Sequence, residues 1–396
     1  MDLFKKCEEY NKNVLGKIME TGLYPYFHYL NSGQNTEVIM EGKKTIMIGS
    51  NNYLGLTSNP YVIEEGKNAI LKYGSGCSGS RFLNGTLDIH IELEKELAEF
   101  LHKEDVVTFS TGFQSNLGII SAIVGRNDYV VCDKENHASI YDACRLSFGK
   151  MVRFEHSDMA DLERQLQAIP KECGILIVTD GVFSMSGEIC KLPEIVKLAK
   201  KYGARIMIDD AHGLGVLGEH GRGTAEHFGL EKEVDIYMGT FSKSLASLGG
   251  YMASTKEVIK FVRHNSRPFI FSASITPASV ACARASLKLL RENPQMVKNL
   301  ADISNYMRAG LKAKGVKIIE STTPIIPIYV YEDEKAFMAC KLLLEKGVYV
   351  NPVISPATPK GQALLRTSYM ATHTKPQIDF AVEKIAEVLK TIGVLK

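Results

Sequence analysis

The sequence has no marked excess of charge of either sign and no long apolar run. Its 396 residues include 47 Lys and Arg against 45 Asp and Glu, a formal net charge of +2. A chain so nearly neutral offers no broad basic surface, so no nucleic-acid partner is expected. No apolar stretch approaches the roughly 18 residues of a transmembrane helix. The charged start also lacks the apolar core of a signal peptide.

Cysteine occurs eight times but never in the C-x-x-C spacing. We therefore expect free thiols in a protein of the reducing cytoplasm, and no metal site. Peripheral contact with the inner face of the membrane stays open, because a short amphipathic surface leaves no trace in composition.

Two G-x-G-x-x-G stretches, from Gly74 and Gly213, lack the context of a dinucleotide site. Such a site needs a strand immediately before the glycines and a helix opening after them. The first stretch follows a helical pattern, and no clear helix opens after the second. Neither carries the Gly-Lys-Ser/Thr of a P-loop, so we interpret both as loops of close backbone approach.

What the sequence does contain is an alternation of short apolar runs and amphipathic stretches. Strands are predicted at residues 106–110, 129–133, 175–179, 205–209 and 234–238. Helical patterns lie between several of them. This alternation is typical of a largely parallel sheet covered by helices.

The sequence patterns at the two ends of the chain differ from the pattern in the middle. A helix and strands at 37–40 and 45–48 are predicted near the start, and strands at 325–331 and 348–353 and a last helix from about Pro376 near the end. We therefore predict an N-terminal segment (1–55), a large domain (56–280) and a smaller C-terminal α+β domain (281–396).

The densest polar cluster follows the predicted strand 205–209. Asp209 ends that strand, and His212 comes three residues later. Ligands of open α/β sheets bind at the carboxyl ends of strands, where a buried carboxylate can hold a protonated heterocyclic nitrogen. A helix N-cap with a surface histidine explains the same residues.

A second cluster follows the predicted strand 234–238 and contains Thr240, Ser242 and Lys243. Hydroxyl and backbone N–H groups at a turn can bind a phosphate. A lysine whose pKa is lowered by burial can form a Schiff base. A solvated loop lysine is the alternative.

Three further positions also allow two interpretations each. Gly112 and Phe113 open a helical pattern after a strand, which gives either an anion site or a plain helix cap. His137 follows another strand and either stacks on a flat ring or bonds its neighbours. Arg366 either captures a carboxylate with its planar guanidinium or forms a surface ion pair.

Taken together, these features describe one cofactor. A phosphate loop, a stacking histidine, an acid for a ring nitrogen, a lysine and a carboxylate-binding arginine are the set that pyridoxal 5′-phosphate (PLP) requires. Each follows a strand or lies in the C-terminal part, as a single cleft would require. The combination predicts PLP as the cofactor.

Ordered motifs over nearly the whole chain resemble the α-oxoamine synthases, a PLP-dependent family. The motifs are GSNNYLGL from Gly49, GSGCSGSRFLNGT from Gly74, NHASIYD from Asn136, GVFSMSGE from Gly181, IDDAHGLGVLGEHGRG from Ile208, GTFSKS from Gly239, FSAS from Phe271 and PATPKGQALLRTS from Pro356. The resemblance implies PLP fold type I, an aspartate-aminotransferase-like large domain with a mostly parallel sheet and a smaller C-terminal α+β domain.

The resemblance also implies catalytic and ring-binding roles by position. Lys243 matches the Schiff-base lysine and the acid/base at the substrate Cα. Asp209 matches the partner of the pyridine nitrogen, and His137 the histidine stacked on the ring. His212 and Ser184 match residues that contact the ring O3′.

Further matches concern the phosphate, the substrate and the partner subunit. The phosphate-side positions are Gly112, Phe113, Thr240 and Ser242. Ser272 matches a residue supplied across the interface of a homodimer with shared sites. Asn52 and Arg366 match substrate-binding positions, with Arg366 on the amino-acid carboxylate.

Within the family, the details resemble the branch that condenses L-serine with palmitoyl-CoA, a long-chain acyl-CoA. That decarboxylating Claisen reaction gives 3-ketodihydrosphingosine, CoA and CO2, the first step of sphingolipid synthesis. One departure is Ile354, at a position where some bacterial members carry a second arginine. Either Arg366 suffices alone, or the amino-acid or acyl preference is altered.

Three alternatives to this branch remain. A 2-amino-3-ketobutyrate CoA ligase would join glycine to acetyl-CoA with the same catalytic residues. An aminotransferase would release a keto acid and need no CoA. A non-catalytic partner subunit would lack the lysine, and the presence of Lys243 argues against it.

Overall fold

The computed structural model describes residues 2–396. Its α-helices are α1 (Lys5–Tyr10), α2 (Gly16–Glu20), α3 (Pro60–Tyr73), α4 (Asp88–Leu101), α5 (Gly112–Ile123), α6 (Ala138–Leu146), α7 (Met159–Gln167), α8 (Leu192–Tyr202), α9 (Thr224–Phe228), α10 (Lys256–Asn265), α11 (Arg267–Ile270), α12 (Pro277–Glu292), α13 (Gln295–Ala313), α14 (Asp333–Glu345) and α15 (Lys375–Thr391). A π-helical segment, Asn11–Leu15, joins α1 to α2.

The strands form three sheets. They are β1 (Glu37–Met40), β2 (Lys43–Met47), β3 (Asp105–Phe109), β4 (Asp128–Asp133), β5 (Lys150–Phe154), β6 (Gly174–Asp180), β7 (Arg205–Asp209), β8 (Ile236–Thr240), β9 (Gly250–Ser254), β10 (Ile325–Tyr331), β11 (Val348–Tyr349), β12 (Asn351–Val353) and β13 (Ala363–Ser368). The orders are β3-β9-β8-β7-β6-β4-β5, β10-β13-β12 and β1-β2-β11.

The seven-stranded sheet is parallel except for β9, which runs antiparallel to β3 and β8. Both of its faces are buried. Along β7, Ile206 and Ile208 pack into one apolar core, whereas Met207 packs into the core on the other face. Period-two alternation between two cores produces a continuous apolar run, as is typical of parallel strands covered by helices on both sides.

The carboxyl ends of the parallel strands meet at one edge of this sheet. There β4 ends at Asp133, β6 at Asp180, β7 at Asp209 and β8 at Thr240. This edge is where ligands bind in open α/β sheets. The fold therefore gathers polar side chains at one place.

Helix ends are fixed by local chemistry at this edge and elsewhere. The side chain of Thr111 accepts a hydrogen bond from the Gln114 N–H and caps α5. Helix α8 has Pro193 in its first turn and is followed by Gly203, whose φ of 69° is left-handed. Helix α8 lies between β6 and β7, in agreement with the helical patterns predicted between the strands.

The smaller sheets correct one prediction. The predicted strand 348–353 is wrong, because the chain changes sheet at Val350. Strand β11 pairs in parallel with β2, and β12 pairs antiparallel with β13. The apolar run is unbroken because Val350 is itself buried. Pro352 fits its place in β12, since edge strands tolerate a missing N–H.

The other predicted strands lie within two residues of those found, and 37–40, 205–209 and 325–331 match completely. The strand predicted at 234–238 begins two residues later, at Ile236. The reason is local, because the Asp235 carboxylate accepts the Ile206 N–H at 2.8 Å in place of a ladder partner. Strands β5, β9 and β13 were not predicted.

Two broader findings concern the architecture as a whole. The chain has the predicted mixed α/β architecture, a large mostly parallel sheet followed by a smaller C-terminal sheet. The division at residues 55 and 280 stays a prediction. Across residues 2–396, every helix is too short or too polar to cross a bilayer.

Candidate active site

A cavity of about 230 Å³ opens at the carboxyl edge of the large sheet. Eight residues predicted for the site line it: Gly112, Phe113, His137, Asp209, His212, Thr240, Ser242 and Lys243. They come from four separate segments of the chain. The fold thus brings together what the sequence shows only as scattered motifs.

Asp209 is held in one orientation by two donors. Its Oδ2 accepts a hydrogen bond from Asn116 Nδ2 at 2.7 Å, and its Oδ1 accepts the Ala211 N–H at 3.1 Å. Asn116 also donates to Ser139 Oγ at 2.8 Å. The carboxylate is buried and borders the cavity, so it can face a protonated ring nitrogen.

Lys243 follows β8 by three residues and lines the same cavity. Burial lowers the pKa of its ammonium to about 8; the Asp209 carboxylate opposes this shift and the Arg366 guanidinium adds to it. Burial acts in this direction because the charged form loses its hydration. A lysine with such a pKa offers a neutral amine near neutral pH.

One end of the cavity has the features of an anion site. Gly112 and Phe113 are the first residues of the 12-residue helix α5, where backbone N–H groups lack partners within the helix. Across from them, Thr240 Oγ1 and Ser242 Oγ lie 2.9 Å apart. A Cβ at Gly112 would lie 2.9 Å from Thr240 Cβ and Oγ1. Only glycine permits so close an approach.

His137 caps the N-terminus of α6 and also lines the cavity. Its backbone N–H donates to Asp180 Oδ1 at 3.3 Å, and its Nδ1 lies 2.7 Å from Ser139 Oγ at the start of α6. Burial lowers the pKa of this imidazole, although Asp209 opposes the shift. The ring is therefore a neutral, flat surface facing the cavity.

His212 is buried beside the ring-binding residues. Burial lowers its pKa well below the ordinary value, and the charges of Lys243 and Arg366 reinforce this. Its Nδ1 lies 2.7 Å from the hydroxyl oxygen of Tyr53. The neutral imidazole thus has one nitrogen occupied by a tyrosine.

Arg366 lies in β13, buried next to the cavity rather than on the surface. Its Nε donates to the Ser184 carbonyl at 2.7 Å, Nη1 to Ser368 Oγ at 3.2 Å and Nη2 to Asn51 Oδ1 at 2.9 Å. These partners are all uncharged, so the guanidinium keeps its positive charge for a carboxylate. The interpretation of Arg366 as a surface ion pair is wrong.

Besides Arg366, three predicted residues lie outside the cavity wall. Ser184 contributes its carbonyl to Arg366. Asn52 turns its Nδ2 to Thr57 Oγ1 at 2.7 Å. Ser272 Oγ accepts a hydrogen bond from Gln114 Nε2 at 3.1 Å. Their roles toward substrate and partner subunit stay predictions.

Several residues of the site were not predicted. Asn116 orients Asp209, Tyr53 contacts His212 and Asn51 contacts Arg366. Asp180 ends β6 in the cavity wall, and burial, with the neighbouring Asp209, raises the pKa of its carboxyl well above the ordinary value. Its position at a strand end is the signal that could have revealed it, as it did for Asp209.

Comparison with known proteins agrees with this fold and site. Residues 43–385 match the aminotransferase class I and II family, and the chain belongs to it. Members of this family have the PLP fold-type I architecture that the sequence predicts.

The chain is also similar to individual proteins over nearly its whole length. A serine palmitoyltransferase of Sphingobacterium spiritivorum is 53% identical over 96% of this chain and 95% of its own. A solved structure of serine palmitoyltransferase with PLP has a TM-score of 0.96 at 38% identity, and all of both chains is covered. An 8-amino-7-oxononanoate synthase of Thermoanaerobacter pseudethanolicus is 42% identical over 98% of each chain.

Proposed function

We propose that this protein condenses L-serine with palmitoyl-CoA, using PLP, to give 3-ketodihydrosphingosine, CoA and CO2. This would be the first step of sphingolipid synthesis. The observation that carries the proposal is the single cavity shared by Lys243, Asp209 and the anion site at α5, with the buried Arg366 beside it. The similarity to serine palmitoyltransferases supports the choice of branch.

The residues present fit PLP. The α5 N–H groups of Gly112 and Phe113, with Thr240 and Ser242 opposite, would hold its phosphate. A Cβ at Gly112 would lie 2.9 Å from Thr240, so the phosphate site stays open only if residue 112 is glycine. When bound, PLP supplies an electron sink for the carbanion at the substrate Cα.

The ring would be held from three sides. Asp209, oriented by Asn116, would pair with the pyridine nitrogen. The flat, neutral His137 would cover one face of the ring. His212 and Ser184 would lie at the O3′ side, as the family resemblance predicts. These contacts would keep the ring in one plane while bonds at Cα change.

Lys243 would carry two tasks in turn. Its neutral amine would hold the cofactor covalently and, once displaced by the substrate amino group, would take the Cα proton. Burial lowers the pKa of this amine to about 8. The same group can therefore accept a proton and return one near neutral pH.

Arg366 would hold the serine carboxylate without help from a second arginine. At the alternative position, Ile354 packs against the apolar core of the small sheet. Arg366 already has neutral partners on Nε, Nη1 and Nη2, which fix the plane of its guanidinium. A fixed guanidinium loses little side-chain freedom when it binds a carboxylate.

The test is release of the CoA thiol by PLP-loaded protein. L-serine, glycine and L-alanine are each combined with palmitoyl-CoA and acetyl-CoA. We expect release with L-serine and palmitoyl-CoA, and its loss in Lys243→Ala. Lys243→Arg, which keeps the charge but provides no neutral amine, should be as inactive.

Other outcomes would assign the reaction elsewhere. Release with glycine and acetyl-CoA would move the protein to the ketobutyrate-ligase branch. A keto acid formed without CoA release would indicate an aminotransferase. Wild-type turnover by Lys243→Ala would refute the role of Lys243.

We further propose a homodimer with sites at the interface. Large apolar side chains are exposed close to the site: Phe113 is 42% exposed, Leu248 55% and Phe271 80%. Phe271 precedes Ser272, the residue expected to reach the partner's site. Sedimentation analysis should give twice the mass of 43.8 kDa.

A cytoplasmic location, with peripheral contact at the inner membrane face, also belongs to the proposal. The exposed Phe4 and Phe27 of the N-terminal segment are 67% and 92% accessible and would be the place for such contact. Flotation of the protein with lipid vesicles tests it, and a protein that stays wholly at the bottom of the gradient would contradict it.

A further inference from the structure

A chain of hydrogen bonds joins the substrate side of the site to the cofactor side through Tyr53. This tyrosine is fully buried, with an exposed fraction of 0%. Its hydroxyl oxygen lies 2.7 Å from His212 Nδ1 and 3.4 Å from Asn51 Oδ1. Asn51 in turn accepts from Arg366 Nη2 at 2.9 Å.

The donors and acceptors in this chain limit where the single Tyr53 proton can go. Arg366 has only donors, and its Nη2 donates to Asn51 Oδ1, the same oxygen that lies 3.4 Å from the Tyr53 hydroxyl oxygen. The Tyr53 hydroxyl has one proton to donate, and two acceptors lie near it, Asn51 Oδ1 and His212 Nδ1. Asn51 Oδ1 already accepts a hydrogen bond from Arg366 Nη2. It also lies farther from the Tyr53 hydroxyl oxygen than His212 Nδ1 does, at 3.4 Å against 2.7 Å.

The remaining acceptor is His212 Nδ1. Since His212 is buried next to two cations, its ring is neutral and has one acceptor and one donor nitrogen. Because the Tyr53 hydroxyl donates its hydrogen bond to Nδ1, Nδ1 is the acceptor. The single ring proton of the neutral imidazole then lies on Nε2. The tautomer of a histidine is commonly set in this way by the bond at its other nitrogen.

We propose that Tyr53 is a positioning residue that holds His212 as its Nε2–H tautomer, so that the imidazole presents a hydrogen-bond donor to the cavity. This inference deepens the proposed function and rests on it for the partner of that donor, the ring oxygen of PLP. It also makes Arg366 a contributor to the state of His212, because Arg366 occupies Asn51 Oδ1, the other acceptor near the Tyr53 hydroxyl. Carboxylate binding and the cofactor ring are thereby linked.

The first test reads the tautomer itself and needs no activity. The protein labelled with ¹⁵N-histidine gives two ring-nitrogen signals for His212, assigned by their loss in His212→Gln. We expect Nδ1 to show the shift of an unprotonated nitrogen and Nε2 that of a protonated one. The reverse pattern in the wild-type protein would overturn the inference, whatever substrate the enzyme uses.

The second test removes the hydroxyl alone. Tyr53→Phe should abolish the preference between the two tautomers, lower kcat about tenfold, as expected for one lost hydrogen bond, and shift the pH midpoint of the PLP absorption band. Tyr369→Phe is the matched control, because Tyr369 is also fully buried and its hydroxyl donates to Thr367 Oγ1 at 2.8 Å, away from the cavity wall.

The outcomes separate the two claims. If Tyr53→Phe changes kcat and spectrum no more than Tyr369→Phe does, Tyr53 is structural only and the inference fails. If the tautomer is Nε2–H but serine and palmitoyl-CoA give no product, the proposed function fails and the inference on His212 stands. Should Tyr53→Phe not fold, the spectrum of the wild-type histidines still decides.

Discussion

The depressed pKa of Lys243 leads to a prediction that can be tested on the PLP-free protein. Moving the pKa from 10.5 to about 8 multiplies the ratio of neutral amine to ammonium by about 300 at any pH below both values. The Lys243 amine should therefore react far faster at pH 7 than the exposed lysines of the same chain.

Competitive labelling with acetic anhydride measures this directly. PLP-free protein is labelled from pH 6 to 11, and each lysine peptide is quantified by mass spectrometry. The Lys243 labelling curve should have its midpoint near pH 8, while exposed lysines such as Lys5 serve as internal controls. A Lys243 midpoint at pH 10 or above would refute the reasoning from burial.

Two variants should move that midpoint in opposite directions. Asp209 raises the pKa of Lys243, so Asp209→Asn should lower it further. Arg366 lowers the same pKa, so Arg366→Gln should raise it. Shifts of the same sign in both variants would mean that local unfolding, rather than charge, controls the amine.

Two further predictions concern the phosphate end and the fold. Gly112→Ala should weaken PLP binding about 10- to 100-fold, the effect of roughly 1–3 kcal/mol of overpacking against Thr240; Gly76→Ala, whose Cβ meets nothing within 4 Å, should bind PLP normally in the same absorbance titration. Burial lowers the pKa of His156, but hydrogen bonds to Asp133 and Glu188 outweigh it and raise the pKa to about 10. Because the folded value is the higher one, the stabilisation is complete below the unfolded pKa of about 6.5 and is lost as pH rises through about 10. In urea unfolding, the free energy of unfolding of the wild-type protein should exceed that of His156→Gln at pH 6, and the difference should fade toward pH 10. A difference that grows with pH would contradict the ion pairing of His156 with Asp133 and Glu188.

The sequence predicts the large sheet well because its strands carry their own signal. In strand 205–209 the apolar residues 206–208 follow one another without a break and lead into Asp209. A strand buried on both faces has this form wherever it lies. The same rule placed Asp209, Thr240 and Lys243 at one edge. Ligand positions that follow strand ends are thus accessible to sequence reasoning.

What the sequence did not predict depends on partners far along the chain. Strand β9 is only five residues long and begins with a glycine and ends with a serine, and it pairs with β3 and β8 only in the folded sheet. The split at Val350 depends on which sheet each half can reach. Tyr53 and His212 lie 159 residues apart, so no local pattern relates them.

The decarboxylation step tests the central claim most directly. PLP-loaded protein is given L-serine labelled with ¹⁴C in the carboxyl carbon and palmitoyl-CoA, and both released CO2 and free CoA thiol are counted. A decarboxylating condensation predicts one labelled CO2 for each CoA, with neither product from Lys243→Ala. CoA release without labelled CO2, or CO2 release that does not require palmitoyl-CoA, would contradict the account.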